Sequence, residues 1–206
     1  FIESGFSPDN MVVKPNFIRD PFKDMNKRGK FALFIGRLSP EKGIKFLLNS
    51  WQEINFPLKI VGDGPLMEDL NLKKNNIEFL GKITNESVKD LLQQAQFLVF
   101  PSQWYEGFPM VLVEAMACGT PALVTNIGSM QEIISDEING LHFELGNQEQ
   151  FIEKVNRLIN DKTFCESLGE NGRKTYIENY TPEVNYHQLS SIYQDAISRN
   201  YHSTYQ

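Results

Sequence analysis

Glu114 is the most conspicuous residue of the sequence, because it is the single charged side chain in the apolar run Pro109–Cys118. Pro109 and Gly119 are typical of a helix start and a helix end, so the run predicts a helix that is buried on nearly every side. An ionised carboxylate in such a helix is costly unless hydrogen bonds reach it. Two interpretations stay open: a ligand with adjacent hydroxyl groups, or a structural partner such as backbone N–H groups or a distant cation.

Glu106 lies eight positions earlier, in the loop that enters the predicted helix. The N–H groups at a helix start have no acceptor inside the helix, so they favour an anion or a sugar. The predicted N–H groups belong to Gly107, Phe108, Met110 and Val111, since Pro109 has none. The alternative for Glu106 is an acid that only stabilises the dipole of its own helix.

Two cations, Arg37 and Lys42, lie five positions apart in the loop Gly36–Gly43, ahead of another predicted helix. Together with the helix N-terminus they would bind a diphosphate, although two solvated surface cations are the alternative. The turn Gly62–Pro65 permits close approach of the backbone but is a weak signal. Neither loop has the glycine pattern of a nicotinamide or flavin enzyme or of a P-loop.

Short apolar runs alternate with amphipathic segments from about residue 31, a pattern typical of βα units around a parallel sheet. Six strands are predicted: Phe31–Ile35, Leu58–Val61, Ile77–Leu80, Phe97–Phe100, Ala122–Thr125 and a weaker Leu141–Phe143. The fold class is therefore α/β, with a Rossmann-like, doubly wound parallel sheet. Ligands bind such sheets beyond the carboxyl ends of the strands, where the loops described above lie.

Helices are predicted between the strands and after them. The first group is Gly43–Trp51, Pro65–Lys73, Asn85–Gln94, Pro109–Cys118 and Met130–Ile134. The closing group is Gln148–Asn160, Thr163–Asn179 and Pro182–Ser198, the last opened by Thr181 as cap. The predicted organisation is a connector over residues 1–30, a Rossmann-like core over 31–146 and C-terminal helices of the same domain over 147–206. The start at Phe1 suggests a fragment.

The composition excludes several classes of protein. A formal charge of -6 gives no basic field for nucleic acid. Cys118 and Cys165 are predicted to be reduced thiols, which fits a cytoplasmic protein. No apolar run is long enough to span a membrane, although peripheral attachment at the inner face of a membrane stays open. The three histidines lack the spacing of zinc ligands and no Asp-x-Asp pair is present, so no metal is expected.

With these motifs together, the chain resembles the C-terminal, donor-binding domain of retaining GT-B glycosyltransferases with a Glu-x7-Glu signature, the glycosyl transferases group 1. The resemblance covers about residues 10–195. It is carried by Val13–Phe17, Gly36-Arg37-Leu38 with Lys42-Gly43, Val61–Pro65, Phe79–Gly81, Glu106–Glu114, Ala115–Pro121 and Asn139-Gly140. Two positions depart from the family pattern, Phe17 in the connector and Pro109, which removes one N–H group.

The resemblance implies a role for each site residue. Arg37 and Lys42 would bind the diphosphate of the sugar donor and stabilise the departing nucleotide, and Glu106 would contact the transferred sugar. Glu114 would hold the ribose hydroxyls. Backbone groups at Gly107, Phe108, Met110, Val111 and Leu112 would hold the sugar and the phosphate. Gly36 would also contact the substrate, and residues around Gly62 and Leu80 would border the base. No metal and no cofactor is implied, since the nucleotide-sugar is a substrate.

The resemblance also implies that an N-terminal acceptor-binding domain is absent from this chain. The predicted function is transfer of a hexosyl group from a nucleotide-sugar to an acceptor with retention, and the chain alone would not perform it. The expected partners are the nucleotide-sugar and the missing domain. The alternatives are a non-catalytic nucleotide-binding module and a sugar-nucleotide epimerase of the same fold.

Overall fold

A six-stranded parallel sheet forms the centre of the computed structural model, which describes residues 5, 7, 8, 11–21, 28–68 and 76–203. The strands are β1 (Ala32–Ile35), β2 (Leu58–Val61), β3 (Ile77–Gly81), β4 (Phe97–Phe100), β5 (Ala122–Thr125) and β6 (Gly140–Phe143). Their order is β3-β2-β1-β4-β5-β6 and every neighbouring pair is parallel. The winding direction reverses between β1 and β4. The predicted doubly wound, Rossmann-like sheet is confirmed.

Seven α-helices lie in the described part of the chain. They are α1 (Ile44–Ser50), α2 (Asn85–Gln94), α3 (Met110–Ala117), α4 (Ser129–Ile133), α5 (Gln148–Asn160), α6 (Lys162–Asn179) and α7 (Pro182–Ser203). Short 3-10 turns occupy Pro40–Lys42 and Trp51–Glu53. The predicted helices agree to within one residue at each end, with two exceptions: α7 ends later than predicted, and a turn occupies the first residues of the helix predicted over Pro65–Lys73. None of these helices is both long enough and apolar enough to cross a lipid bilayer.

Two details of the predicted helices need correction. Pro109 was expected to be the first helical residue, but it is the N-cap of α3, with a non-helical ψ of 98°. Of the helix predicted over Pro65–Lys73, the residues Pro65–Glu68 form a turn, and residues 69–73 lie outside the described residues.

Apolar side chains cover both faces of the sheet. On one face, β1, β2 and β4 pack against α1 and α5 through residues such as Phe34, Trp51 and Phe151. On the other face, they pack against α2, α3 and α6 through residues such as Leu98 and Met116. Burial on both faces explains why β4 and β5 are nearly continuous apolar runs in the sequence. The sheet therefore gives the loops at its carboxyl edge a rigid base.

The connector is held against the C-terminal helices. Residues 11–21 contain no helix or strand, but Ile18 exchanges hydrogen bonds with this region: its N–H donates to Tyr180 O at 3.2 Å and its carbonyl accepts from the Tyr176 hydroxyl at 3.1 Å. Asn185 also donates to Pro15 O at 2.9 Å. The Thr181 hydroxyl accepts from the N–H of Val184, which confirms the predicted cap of α7.

Arg28, within the predicted connector, is held by hydrogen bonds to the core of the domain. Its guanidinium donates to the carbonyls of Ala95, Cys118 and Gly119 and to the Thr120 hydroxyl. Burial lowers the pKa of this guanidinium. Because these acceptors lie just before β4 and just after α3, Arg28 fixes the far end of α3.

The two cysteines are buried and free, as expected for reduced thiols. Burial raises the pKa of both the Cys118 and the Cys165 thiol to about 12. Both side chains therefore stay neutral and pack as small apolar groups.

Candidate functional site

The loops after β1 and β4 meet at the point where the sheet reverses its winding direction. The N–H of Gln103, after β4, donates to Glu41 O in the loop after β1 at 2.8 Å. Gly43 has a φ of +70°, and a Cβ on it would lie 1.9 Å from Pro101 O. Only glycine allows this approach of the two backbones. Ligands of doubly wound sheets bind at this place, so the two loops define the candidate site.

Lys42 and Glu106 form an ion pair across the two loops. Lys42 Nζ donates to Glu106 Oε1 at 2.7 Å, and the Ser102 hydroxyl donates to the same oxygen at 2.6 Å. The pair is partly shielded from water, with side-chain exposures of 24% for Lys42 and 16% for Glu106. Lys42 Nζ also lies 5.6 Å from the ring centroid of Phe100, within range of a cation–π contact.

The backbone of Glu106 is held as well. The Ser129 hydroxyl, at the start of α4, donates to Glu106 O at 2.8 Å. Glu106 is therefore fixed at its main chain by one serine and at its carboxylate by another.

Glu114 lies on α3 among buried residues. Its neighbours along the helix, Val113, Ala115 and Met116, are buried, whereas Glu114 is half-buried. Its carboxylate accepts no hydrogen bond from any residue in the described part of the chain. Burial raises the pKa of this carboxyl, and Lys89 on α2 opposes the shift electrostatically. Lys89 corresponds to the distant cation of the structural alternative, whereas no hydrogen-bond donor to the carboxylate is found within that part.

Several backbone N–H groups at the start of α3 have no hydrogen-bond acceptor among the described residues. They belong to Gly107, Phe108, Met110 and Val111. A Cβ placed on Gly107 would meet nothing within 4 Å, so the space beside it is open. Leu112 differs from the prediction, because its N–H already donates to Pro109 O at 3.0 Å and its side chain is buried.

Gly36, Gly62 and the end of β3 lie side by side. The N–H of Gly36 donates to Val61 O at 3.0 Å, and the N–H of Gly62 donates to Gly81 O at 2.9 Å. Gly62 has a φ of +135°, and a Cβ on it would lie 1.9 Å from Gly36 O. Leu80 is half-buried beside them. The structure thus places Gly62 and Leu80, which are expected to border the base, next to Gly36.

Arg37 is not drawn into the ion pair. Its side chain is exposed and makes no hydrogen bond or ion pair with any described residue. Its charge helps to lower the pKa of the exposed Glu41 carboxyl, after the larger effect of the hydrogen bond from Ser39 at 2.6 Å. Arg37 and Lys42 share no partner among the described residues, because Lys42 pairs with Glu106, and their convergence on one anion stays a prediction.

Ser102 is the site residue that the sequence reasoning missed. It is fully buried two positions after β4, and a serine after a strand is too common to signal a function. The aromatic residues beside it, Trp104 and Tyr105, are 67% and 73% exposed. No three His, Cys, Asp or Glu side chains of the described residues are grouped so as to hold a metal ion.

The family is decided by comparison with known proteins. The profile of the family described as glycosyl transferases group 1 matches residues 17–175, which is most of the chain. The chain belongs to the glycosyl transferases group 1 family. The family membership inferred from the two glutamates and the glycine-containing loops is thereby confirmed.

The relatives of this group 1 chain are longer proteins. It is 40% identical over 149 residues to an uncharacterized glycosyltransferase of Methanocaldococcus jannaschii, covering 70% of this chain and 42% of that protein. It is 28% identical to the UDP-Gal:alpha-D-GlcNAc-diphosphoundecaprenol alpha-1,3-galactosyltransferase of Escherichia coli, covering 83% of this chain and 47% of the transferase. The chain spans about half the length of the curated relatives it matches.

Solved structures agree with the fold of a group 1 glycosyltransferase. A variant of TarM from Staphylococcus aureus, in complex with fondaparinux, alpha-GlcNAc-glycerol and UDP, superposes with a TM-score of 0.78 at 24% identity. The superposition covers 93% of this chain and 41% of TarM. The chain therefore has the Rossmann-like fold of one half of a GT-B glycosyltransferase.

Proposed function

We propose that this chain is the donor-binding half of a retaining hexosyltransferase that uses a nucleoside-diphosphate sugar. The observation that carries the proposal is the grouping, at one edge of the sheet, of the Lys42–Glu106 pair with the open N–H groups at the start of α3. The family supports it, as do the UDP-Gal named for the Escherichia coli relative and the UDP bound to TarM.

The cations and the start of α3 would hold the diphosphate. Lys42 lies at the site and Arg37 projects into solvent from the same loop, so both are available to an anionic ligand. The open N–H groups at Gly107, Met110 and Val111 add hydrogen bonds without adding charge. Negative charge grows on the departing nucleotide during transfer, and these groups would stabilise it.

The two glutamates would bind the two sugars of the donor. Glu106 would accept hydrogen bonds from hydroxyls of the transferred sugar near the reacting carbon. Glu114, which has no hydrogen-bond donor in the described protein, would accept from the adjacent ribose hydroxyls. A pair of hydroxyls is well matched to the two oxygens of a carboxylate. No metal is part of this proposal, since the cations supply the charge that opposes the diphosphate.

The acceptor would bind to a second domain that completes the enzyme. The relatives are about twice as long as this chain, which leaves room for such a domain. The expected acceptor is a glycan, a lipid-linked sugar or a polysaccharide, in the cytoplasm or at the inner face of a membrane. The isolated chain would bind the sugar donor but would not transfer sugar, so acceptor-dependent product from the chain alone would contradict this part.

Calorimetric titration with UDP, GDP and ADP tests the proposal directly. One of the three should bind selectively, and Glu114→Ala should weaken that binding roughly tenfold through the loss of two charge-assisted hydrogen bonds. Glu153→Ala, at an exposed glutamate of α5, is the matched control and should bind as the parent chain does. A folded chain that binds none of the three nucleotides, or binds equally well without Glu114, would contradict the assignment.

A further inference from the structure

The Ser102 hydroxyl lies within reach of three oxygens. Its Oγ is 2.6 Å from Glu106 Oε1, 3.1 Å from Glu41 O and 3.4 Å from Trp104 O. The side chain is completely buried, so water does not compete for the hydroxyl. A serine has one proton to donate, and the destination of that proton decides what Ser102 does.

The distances indicate that the Ser102 hydroxyl donates its hydrogen bond to Glu106. The separation of 2.6 Å is in the range of a hydrogen bond from a hydroxyl to a carboxylate, roughly 2.5–2.7 Å. The carbonyl of Glu41 already accepts from the N–H of Gln103 at 2.8 Å and does not depend on Ser102. Trp104 O, at 3.4 Å, is the most distant of the three acceptors.

Lys42 and Ser102 share one oxygen of Glu106 but differ in mobility. Lys42 has a long side chain and a charge that a bound diphosphate attracts, whereas Ser102 is short, neutral and buried. Under the proposed function, a diphosphate would draw Lys42 at least partly away from Glu106. Among the described residues, Ser102 would then be the hydrogen-bond donor that still holds the carboxylate.

We propose that Ser102 is a positioning residue, whose hydroxyl keeps the Glu106 carboxylate oriented toward the transferred sugar when the donor diphosphate engages Lys42. This inference rests on the proposed function, since it assumes that Glu106 meets the sugar and Lys42 the diphosphate. Ser102 itself touches neither. Its effect is confined to the sugar end of the ligand, and this separates it from a residue that merely stabilises the loop.

The ratio of two affinities tests the proposal. In the chain carrying Ser102→Ala, affinity for the nucleotide-sugar (UDP-glucose, GDP-mannose or ADP-glucose) should fall roughly fivefold, while affinity for the corresponding free diphosphate stays within about twofold. Ser102→Thr keeps a hydroxyl and should restore the ratio. Ser50→Ala removes another buried serine hydroxyl, on α1, and is the matched control. An unchanged ratio in Ser102→Ala, or an equal loss for both ligands, would overturn the proposal.

Crystal structures of Lys42→Met and of the double variant Lys42→Met, Ser102→Ala, both without ligand, provide a second test, because Lys42 holds the Glu106 carboxylate in neither of them. The carboxylate should keep its place in Lys42→Met and move, or occupy several rotamers, in the double variant. A carboxylate that stays in place without the hydroxyl would overturn the inference. If the parent chain binds no nucleotide, the proposed function fails, but the comparison of the two structures still decides whether Ser102 positions Glu106.

Discussion

Glu106 and Glu114 lie eight residues apart in opposite environments. Glu106, in the loop before α3, accepts hydrogen bonds from Lys42 Nζ at 2.7 Å and from the Ser102 hydroxyl at 2.6 Å. Glu114, inside α3, accepts none from the described residues and lies among buried apolar side chains. Burial raises the pKa of the Glu114 carboxyl.

The two environments suit different roles: Glu106 is oriented before a ligand binds, whereas Glu114 contributes to the affinity for the ligand. A carboxylate with its hydrogen bonds already made has a defined direction before a ligand arrives, which suits a group placed near a reacting carbon. A carboxylate without hydrogen bonds gains them only from a ligand, so binding relieves part of its cost of burial. We therefore expect changes at Glu106 to alter the rate of transfer and changes at Glu114 to alter nucleotide affinity and stability.

The largest expected effect follows from Glu106→Gln, which keeps the shape of the side chain and removes its charge. In an enzyme that joins this chain to an acceptor-binding domain, the initial rate of transfer should fall at least about 100-fold, as is usual when an electrostatic group at the reacting centre is lost. Glu153→Gln is the control and should retain the parent rate. Unchanged transfer in Glu106→Gln would place this residue outside catalysis and would favour a module that only binds nucleotide.

A smaller effect is expected for the coupling between Lys42 and Glu106. A double-mutant cycle of Lys42→Met and Glu106→Gln, measured by urea unfolding of the chain, should give about 1 kcal/mol, because the pair is short and partly shielded. The exposed pair Lys162–Glu166, with an N···O distance of 3.4 Å, is the comparison and should give only about 0.3 kcal/mol. Equal coupling energies would mean that the Lys42–Glu106 pair stabilises the chain no more than an ordinary surface ion pair does.

The fold was largely predictable because its signals are local. A strand buried on both faces must be apolar throughout, and β4 and β5 are. The caps at Thr181 and Gly119 are equally visible in the sequence. Glu114 could be identified for the same reason, since the apolar residues next to it in the sequence already show that the carboxylate lies in an apolar helix.

The contacts of Glu106 were not predictable, because they depend on the approach of distant segments. Lys42 lies 64 positions before Glu106, and the two meet only because Gly43 lets one loop lie against Pro101. The hydrogen bonds of Arg28 were not predictable for the same reason, since its acceptors lie more than sixty positions away. Ordinary residues such as Ser102 acquire a role only when the tertiary structure supplies their neighbours.

The contrast between the two glutamates also predicts a gain in stability. Glu114→Gln removes an unpaired, desolvated charge and should raise the free energy of unfolding at pH 7 by about 0.5 kcal/mol, a modest value because the carboxylate retains some contact with water. Glu153→Gln, at an exposed position, should leave the free energy of unfolding unchanged. A loss of stability in Glu114→Gln would show that the carboxylate has a structural partner after all.

The smallest effect is the pH dependence of that gain. Because the pKa of Glu114 is raised in the folded chain, the unfolded chain ionises first as the pH rises, and ionisation then favours unfolding. The stability contributed by the protonated Glu114 is therefore complete below the pKa of the unfolded state and is lost as the pH rises through the folded-state pKa. Urea unfolding should show a gain for Glu114→Gln at pH 7 that shrinks toward zero at pH 4.

The difference in free energy of unfolding between Glu114→Gln and the parent chain isolates the contribution of Glu114 from those of the other carboxyls. The pKa of Glu137 is lowered by its hydrogen bond from Arg157, so its contribution runs in the opposite direction and is lost as the pH falls. Glu137 is present in both proteins, and its effect cancels in the difference between them. A gain that is constant from pH 4 to pH 7 would mean that the Glu114 carboxyl titrates alike in the folded and unfolded chains, and the contrast with Glu106 would then rest on hydrogen bonding alone.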